Sequence, residues 1–260
     1  MRIGFDHDAA SRSHARPMPR MVSAVVVGPP EMEVEYPEGP RVPEGDLQTR
    51  RRGELVWALR HWLAERPGAW VLNDINVYYA QGDSKVVVAP DVAVAFGVDV
   101  AAVEGQSTYK VWEAGAAPAF ALEIASHTTY KRDLRAKPAR FADLGVSEYW
   151  RLDPTGGDYL PAALAGERRR RGRWQTIPID AGDDGALTGH SAALGLDLCW
   201  QPPKLRLYDP ATGAWLPDPD DAYEARDAAE AARLAAEDRA DAAEAELAAL
   251  RRQLGQPPPA

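Results

Sequence analysis

The segment Phe120-Ala121-Leu122-Glu123-Ile124 sets a carboxylate inside an apolar run, and a polar, highly charged stretch follows it at once. A short apolar run between polar flanks reads as a buried strand. A charge in a low-dielectric interior is unfavourable unless it is paired or bound to a metal. Glu123 therefore either faces solvent on an edge or has chemistry to perform.

The neighbouring sequence predicts the fold that surrounds this run. Leu55, Val56, Leu59, Trp62 and Leu63 recur at helical spacing and predict an amphipathic helix ended by Arg66-Pro67-Gly68. Residues 69–80 read as strand with a polar turn after them. Residues 85–97 form a second, valine-rich strand region broken at Pro90-Asp91, and residues 117–126 form a third. Residues 138–146 suit a helix, with Pro138 in the first turn and Gly145 near the C-terminal cap. Residues 147–153 are strand-like, and Tyr149 and Trp150 are expected to pack in the core or along a sheet face. Residues 158–164, 170–179 and 203–209 read as short strands of a meander. Helix, three strands, helix, strand is the order of an α/β core with a mixed sheet flanked by helices.

Composition shifts divide the 260 residues into four segments. Residues 1–40 are rich in Pro, Gly and Arg and are expected to be an irregular arm. Residues 41–217 hold the α/β domain. Residues 218–254 contain no Gly and are dominated by Ala, Glu, Asp and Arg, strong helix formers for the most part. Leu247, Leu250 and Leu254 follow an a/d spacing there, so this helix is a candidate coiled coil for a homo-oligomer. Residues 255–260 are expected to be a disordered tail. No apolar run approaches the length of a membrane span. A single cysteine, Cys199, excludes a disulfide framework and a cysteine zinc site, and it fits a cytoplasmic protein.

The net charge of −9 argues at first against a nucleic-acid partner. Residues 218–254 carry eleven acidic and five basic side chains, so most of the excess lies outside the α/β domain. Within the domain, Arg168, Arg169, Arg170 and Arg171 form a basic cluster that can steer a polyanion or simply cover a solvated hairpin.

Asp91 and Glu123 lie in two separate apolar strand regions. Neighbouring strands stand about 5 Å apart, so if the two pair, the carboxylates converge. Two carboxylates that close repel unless a cation lies between them. Mg²⁺ accepts one or two protein carboxylates and keeps its waters for a phosphate substrate.

Four segments carry a resemblance: APDVAVAFGV, STYKVWEAGAAPAFALEIAS, DLRAKPARFADLGVSEYWRLDP and LRLYDPATGAWLP. Together they resemble the Uma family of restriction endonucleases, within the PD-(D/E)XK phosphodiesterases. The likeness runs from about Glu33 to Pro217. It implies a restriction-endonuclease-like fold, DNA as substrate and Mg²⁺ or Mn²⁺ as cofactor. Asp91 matches the first metal-binding position and Glu123 the second, with the carbonyl of Ile124 as a third ligand. The superfamily pattern expects a lysine two residues after the glutamate, where this chain has Ala125. The family places it on the following helix, where Lys137 stands, and Pro138 puts Lys137 at that helix's entrance. Glu44 and Asp74 match further acidic positions, and their plainer roles are a helix-start and a strand-end carboxylate. A reading of another class stays open: a non-catalytic interaction module that keeps the nuclease fold and assembles through its C-terminal helix.

Overall fold

The computed structural model describes residues 26–27, 35–36, 45–127 and 130–255. Glu44, most of residues 1–40 and residues 256–260 lie outside them. In chain order the elements are β1 (Val26–Val27), α1 (Asp46–Leu63), β2 (Trp70–Asn73), β3 (Asn76–Tyr78), β4 (Ala80–Gln81), β5 (Val87–Val88) and β6 (Val92–Ala95). There follow α2 (Val100–Val103), β7 (Thr108–Lys110), α3 (Val111–Ala114), β8 (Pro118–Ile124), α4 (Tyr130–Arg135), α5 (Lys137–Leu144) and β9 (Glu148–Leu152). The chain continues through β10 (Leu164–Arg170), β11 (Arg173–Thr176), β12 (Ile179–Ala181), β13 (Leu187–Ser191), β14 (Leu196–Gln201), β15 (Lys204–Asp209), β16 (Ala214–Trp215) and α6 (Pro219–Gln253).

The protein is α/β with a mixed central sheet in the order β11-β10-β9-β8-β6-β2. Only β8 and β9 run parallel in it. Parallel neighbours need a crossover, and α4 with α5 supplies it. Both faces of the sheet are covered, which is why β6 and β8 read as near-continuous apolar runs. On one face Val92, Val94, Phe120, Leu122, Ile124 and Trp150 pack against Leu55 and Leu59 of α1 and against Leu198 and Trp200 of β14. On the other face Ala93, Ala95, Ala121 and Tyr149 pack against Phe141 and Leu144 of α5. The side-chain period of two thus sends even-numbered residues of β6 and β8 toward α1 and odd-numbered ones toward α5.

β12 to β16 form an antiparallel five-stranded sheet, a larger meander than the sequence suggested. It joins the central sheet through Trp150, whose ring lies so close to Gly189 of β13 that a Cβ there would come within 2.8 Å of it. Residues 158–163, expected as strand, are an irregular loop, and β10 begins only at Leu164. Val26–Val27 pairs in parallel with β4 as a separate two-stranded sheet. Gly145 caps α5 with φ 94°, the left-handed conformation that favours glycine.

α6 runs for 35 residues with no residue buried. Asp218 caps it by accepting from the Asp220 N–H at 2.7 Å, and Pro219 stands in its first turn. Lys204 bonds Asp220, and Arg206 meets Asp221 at 2.7 Å, which ties this end to β15. Among the described residues no helix is long and apolar enough to cross a membrane.

Candidate active site

Strand register brings three of the expected acidic positions into one row. Val92 pairs with Leu122 on β8 and with Asn73 on β2. One step further along each ladder sets Asp91 opposite Glu123 on one side and Asp74 on the other. The contacts agree. Asp91 accepts the Ile124 N–H on its Oδ2 at 2.6 Å, and its carbonyl accepts the Asp74 N–H at 3.1 Å. Asp74 then leaves the strand with φ 46° and pairs with Arg52 of α1 at 3.5 Å.

Asp91 and Glu123 are both odd-numbered, so both belong to the face covered by α5. Glu123 is 1% exposed, and the Lys137 ammonium donates to its Oε2. Lys137 is the first residue of α5, and its side chain is 12% exposed. A cation at a helix N-terminus opposes the macrodipole, so this placement owes nothing to helix stability; the carboxylate across from it compensates. A cavity of about 410 Å³ opens beside Lys137, lined by Val88, Ala89, Ala136 and Arg140. Glu123 and Lys137 therefore meet at one end of the sheet, next to open space, with Asp91 on the adjoining strand.

Two flanking elements hold this end in place. Gln48 of α1 donates to the Ala125 carbonyl at 3.3 Å, and Ala125 itself is buried. Gln48 had a readable signal: it continues the stripe of Leu55 and Leu59 at helical spacing and is polar. From the other side the β10–β11 hairpin grips α5. Trp174 Nε1 donates to the Pro138 carbonyl at 3.0 Å, and Arg169 donates to the Ala142 carbonyl. The basic cluster therefore splits. Arg168 bonds the His190 carbonyl at 3.1 Å and Arg169 holds α5, whereas Arg170 and Arg171 stand exposed at the hairpin tip.

Two buried carboxylates went unnoticed in the sequence. Glu148 opens β9, is 2% exposed, and accepts from Ser191 Oγ at 2.6 Å, the Ala192 N–H at 3.0 Å and Trp150 Nε1 at 3.3 Å. Asp153 follows β9 and is fully buried. Burial pushes its pKa up. Hydrogen bonds from the Thr155 hydroxyl and the N–H groups of Leu160, Thr155 and Tyr159 outweigh burial and hold it below the usual carboxylate value.

A mixed sheet flanked by helices, with Lys137 against buried Glu123 at one strand end, defines an α/β protein with a charged site at its sheet end. The chain belongs to the Uma2 family, whose description is "Putative restriction endonuclease" and whose model matches residues 28–198. Among solved structures it is similar to a "putative nuclease belonging to DUF820" from Anabaena variabilis, at 16% identity and a TM-score of 0.35, over 73% of this chain and 83% of that one. A comparison with curated proteins gave no match.

Proposed function

We propose that the protein is a metal-dependent endonuclease that hydrolyses DNA phosphodiester bonds, with Asp91, Glu123 and Lys137 as its working residues. The observation that carries this reading is the Lys137–Glu123 contact on a buried face that register also gives to Asp91. The donor chemistry fits a hard cation, because both groups are carboxylates. Among the described residues no set of three or more His, Cys, Asp or Glu gathers as a metal site. Two protein carboxylates with substrate phosphate and water completing the shell is the usual arrangement for Mg²⁺. Asp91 and Glu123 would hold Mg²⁺ or Mn²⁺ with the Ile124 carbonyl, and the bound cation supplies Lewis-acid polarisation of the phosphate and a more acidic water.

The remaining work falls to the chain. The Ile124 N–H holds the Asp91 carboxylate at the end of β8. Lys137 has a four-carbon stem and three rotatable donors. It can leave Glu123 for an entering phosphate, orient the attacking water and stabilise the charge that develops on the phosphate oxygens. Water gives up a proton to solvent as it adds to phosphorus, one P–O ester bond breaks, and the leaving alkoxide takes up a proton from solvent. Gln48, Trp174 and Arg169 keep the strand end and α5 at fixed separation. Exposed Arg170 and Arg171 are available for backbone phosphates, which position DNA without reading its sequence.

The test is nicking of supercoiled plasmid with Mg²⁺ or Mn²⁺. Lys137→Met and Asp91→Asn should each lower the rate at least about 100-fold, the scale set by removal of one stabilising group, while keeping the parent's circular dichroism. Full activity in either variant would sink this site.

A second reading, an interaction module that assembles through α6, draws on one observation: Leu234, Leu247, Leu250 and Leu254 are exposed on a helix that buries nothing. Its measurement is mass by light scattering of the full chain against Leu247→Glu with Leu250→Glu. Equal masses would remove it.

A further inference from the structure

We infer that Tyr130, Tyr159 and His127 form a stacking platform for unpaired nucleotide bases beside Glu123 and Lys137, so that the substrate segment entering the site is single-stranded or locally opened DNA. This rests on the nuclease reading above and narrows its substrate.

The three rings come from two segments and gather beyond one end of the central sheet. His127 lies three residues beyond Ile124, the end of β8. Tyr130 opens α4, and its N–H donates to the Ser126 carbonyl at 3.1 Å. Tyr159 arrives from the other strand. β8 and β9 are parallel with Ile124 opposite Leu152, so the loop that leaves β9 starts from the edge that carries Glu123. Ligands of such sheets enter outside the carboxyl ends of the parallel strands.

The loop holding Tyr159 is rigidly built. Asp153 Oδ2 accepts the N–H groups of Tyr159 at 2.7 Å and Leu160 at 2.8 Å, and its Oδ1 accepts the Thr155 N–H at 3.0 Å and hydroxyl at 2.6 Å. The Tyr159 ring stacks on Tyr130 at 6.4 Å and 25° and meets His127 edge-on at 6.4 Å. Both tyrosines are half-buried, His127 is exposed, and none of the three belongs to either apolar core. The rings pack on one another at the surface, where the fold gains little from them. Lys131 adds a cation 5.6 Å from the Tyr130 ring. Aromatic faces with a cation beside them are how proteins hold single strands without sequence preference. A continuous duplex offers no free base face to such a platform.

The experiment measures fluorescence anisotropy of a labelled single-stranded oligonucleotide and of its duplex with the full-length protein in EDTA, where metal-assisted cleavage is suppressed. The parent is expected to prefer the single strand. Tyr159→Leu and Tyr130→Leu should each weaken single-strand binding at least about 10-fold, in line with the loss of one stacked base, and leave duplex binding unchanged. Tyr159→Phe keeps the ring and should bind as the parent does. Because both side chains are half-exposed, thermal melts should match the parent's. Leucine variants that bind the single strand as the parent does, or that lose strand and duplex equally, overturn the platform. A parent that binds only duplex overturns it while the nuclease reading stands. A parent that binds neither also overturns the platform, and the nicking assay with metal decides the nuclease reading separately.

Discussion

Glu123 and Glu148 are carboxylates of the same kind, both buried, on adjacent strands, and the fold treats them in opposite ways. Glu148 is enclosed by donors with fixed positions: a serine hydroxyl, a backbone N–H and an indole N–H, with Arg168 Nε at 3.8 Å. Those donors join β9 to the turn after β13 and so bind the two large sheets together. Glu123 faces a flexible ammonium beside a cavity, opposite a second carboxylate position. A carboxylate surrounded by rigid donors cannot change partners without loss of structure. One held by a lysine that borders open space can exchange that partner for a cation or a phosphate. Burial alone does not distinguish a structural acid from a working one; the mobility of its donors does.

The largest effect expected from this contrast is on activity. Glu123→Gln should reduce nicking at least about 100-fold. Its effect on apo stability should fall well short of the about 3–5 kcal/mol that breaking a sealed pair costs. Lys137 can hydrate at the cavity, and removing one of two facing negative charges relieves repulsion. Mn²⁺ should raise the parent's melting midpoint by mass action and leave that of Glu123→Gln where it was. Denaturant melts in EDTA and in Mn²⁺ measure both quantities. A loss as large as a sealed pair's would place Glu123 among the structural acids, beside Glu148.

Next in size is the converse variant. Glu148→Gln turns an amide N–H₂ toward either the Ala192 N–H or the Trp150 indole, so one buried donor always faces a donor. The expected loss is about 1.5–3 kcal/mol, the range for hydrogen bonds to a charged group. The Mn²⁺ shift should persist at reduced stability, because Glu148 touches nothing at the candidate site. A variant that melts like the parent would show the donor cage to be dispensable.

The same contrast explains what could be read in the sequence. Glu123 stood out because a charge interrupts an apolar run, and valine-rich β6 and the periodic α1 were equally plain. Asp91 could be paired with it because two buried strands in one small sheet have few places to go. Glu148 gave no such signal. It sits at the start of its strand next to Ser147, where a polar residue is ordinary, and its partners Ser191 and Ala192 lie more than forty residues away. Lys137 came only from the family resemblance. Its contact spans 14 residues across a crossover whose geometry no local pattern encodes. The division of the arginine cluster was also hidden, since the direction of each side chain depends on the hairpin register, with Arg170 opposite Arg173.

A third acid tests donor fixity through pH. The folded-state pKa of Asp153 lies below its unfolded value. Its stabilisation is therefore complete above the ordinary carboxylate range near pH 4 and is lost as pH falls through the lowered folded value. Asp153→Asn should cost about 1.5–3 kcal/mol at neutral pH, because an amide N–H₂ replaces an acceptor. Its stability should also fall less steeply than the parent's below pH 4. Denaturant midpoints across that acid limb provide the check. Parallel curves would mean that Asp153 does not carry the acid sensitivity.

The smallest effect is expected where a lysine–carboxylate pair stands in water. Lys204 and Asp220 bond as Lys137 and Glu123 do, but their side chains are 26% and 46% exposed. The bond to Lys204 comes first among the influences that lower the Asp220 pKa, so the attraction is real. Water and salt screen it, and ordering two long side chains offsets what remains. The start of α6 has other supports that the substitution leaves alone: Asp218 caps the helix and Arg206 meets Asp221. Asp220→Asn should therefore leave the thermal midpoint unresolved from the parent's at physiological salt. A small decrease should emerge only at low ionic strength, where screening is weak. Melts of the two proteins across a salt series measure this. A clear loss at high salt would mean that the first turn of α6 is part of the folded core, and that exposure is a poorer guide to a lysine–carboxylate pair than its resemblance to Lys137 and Glu123.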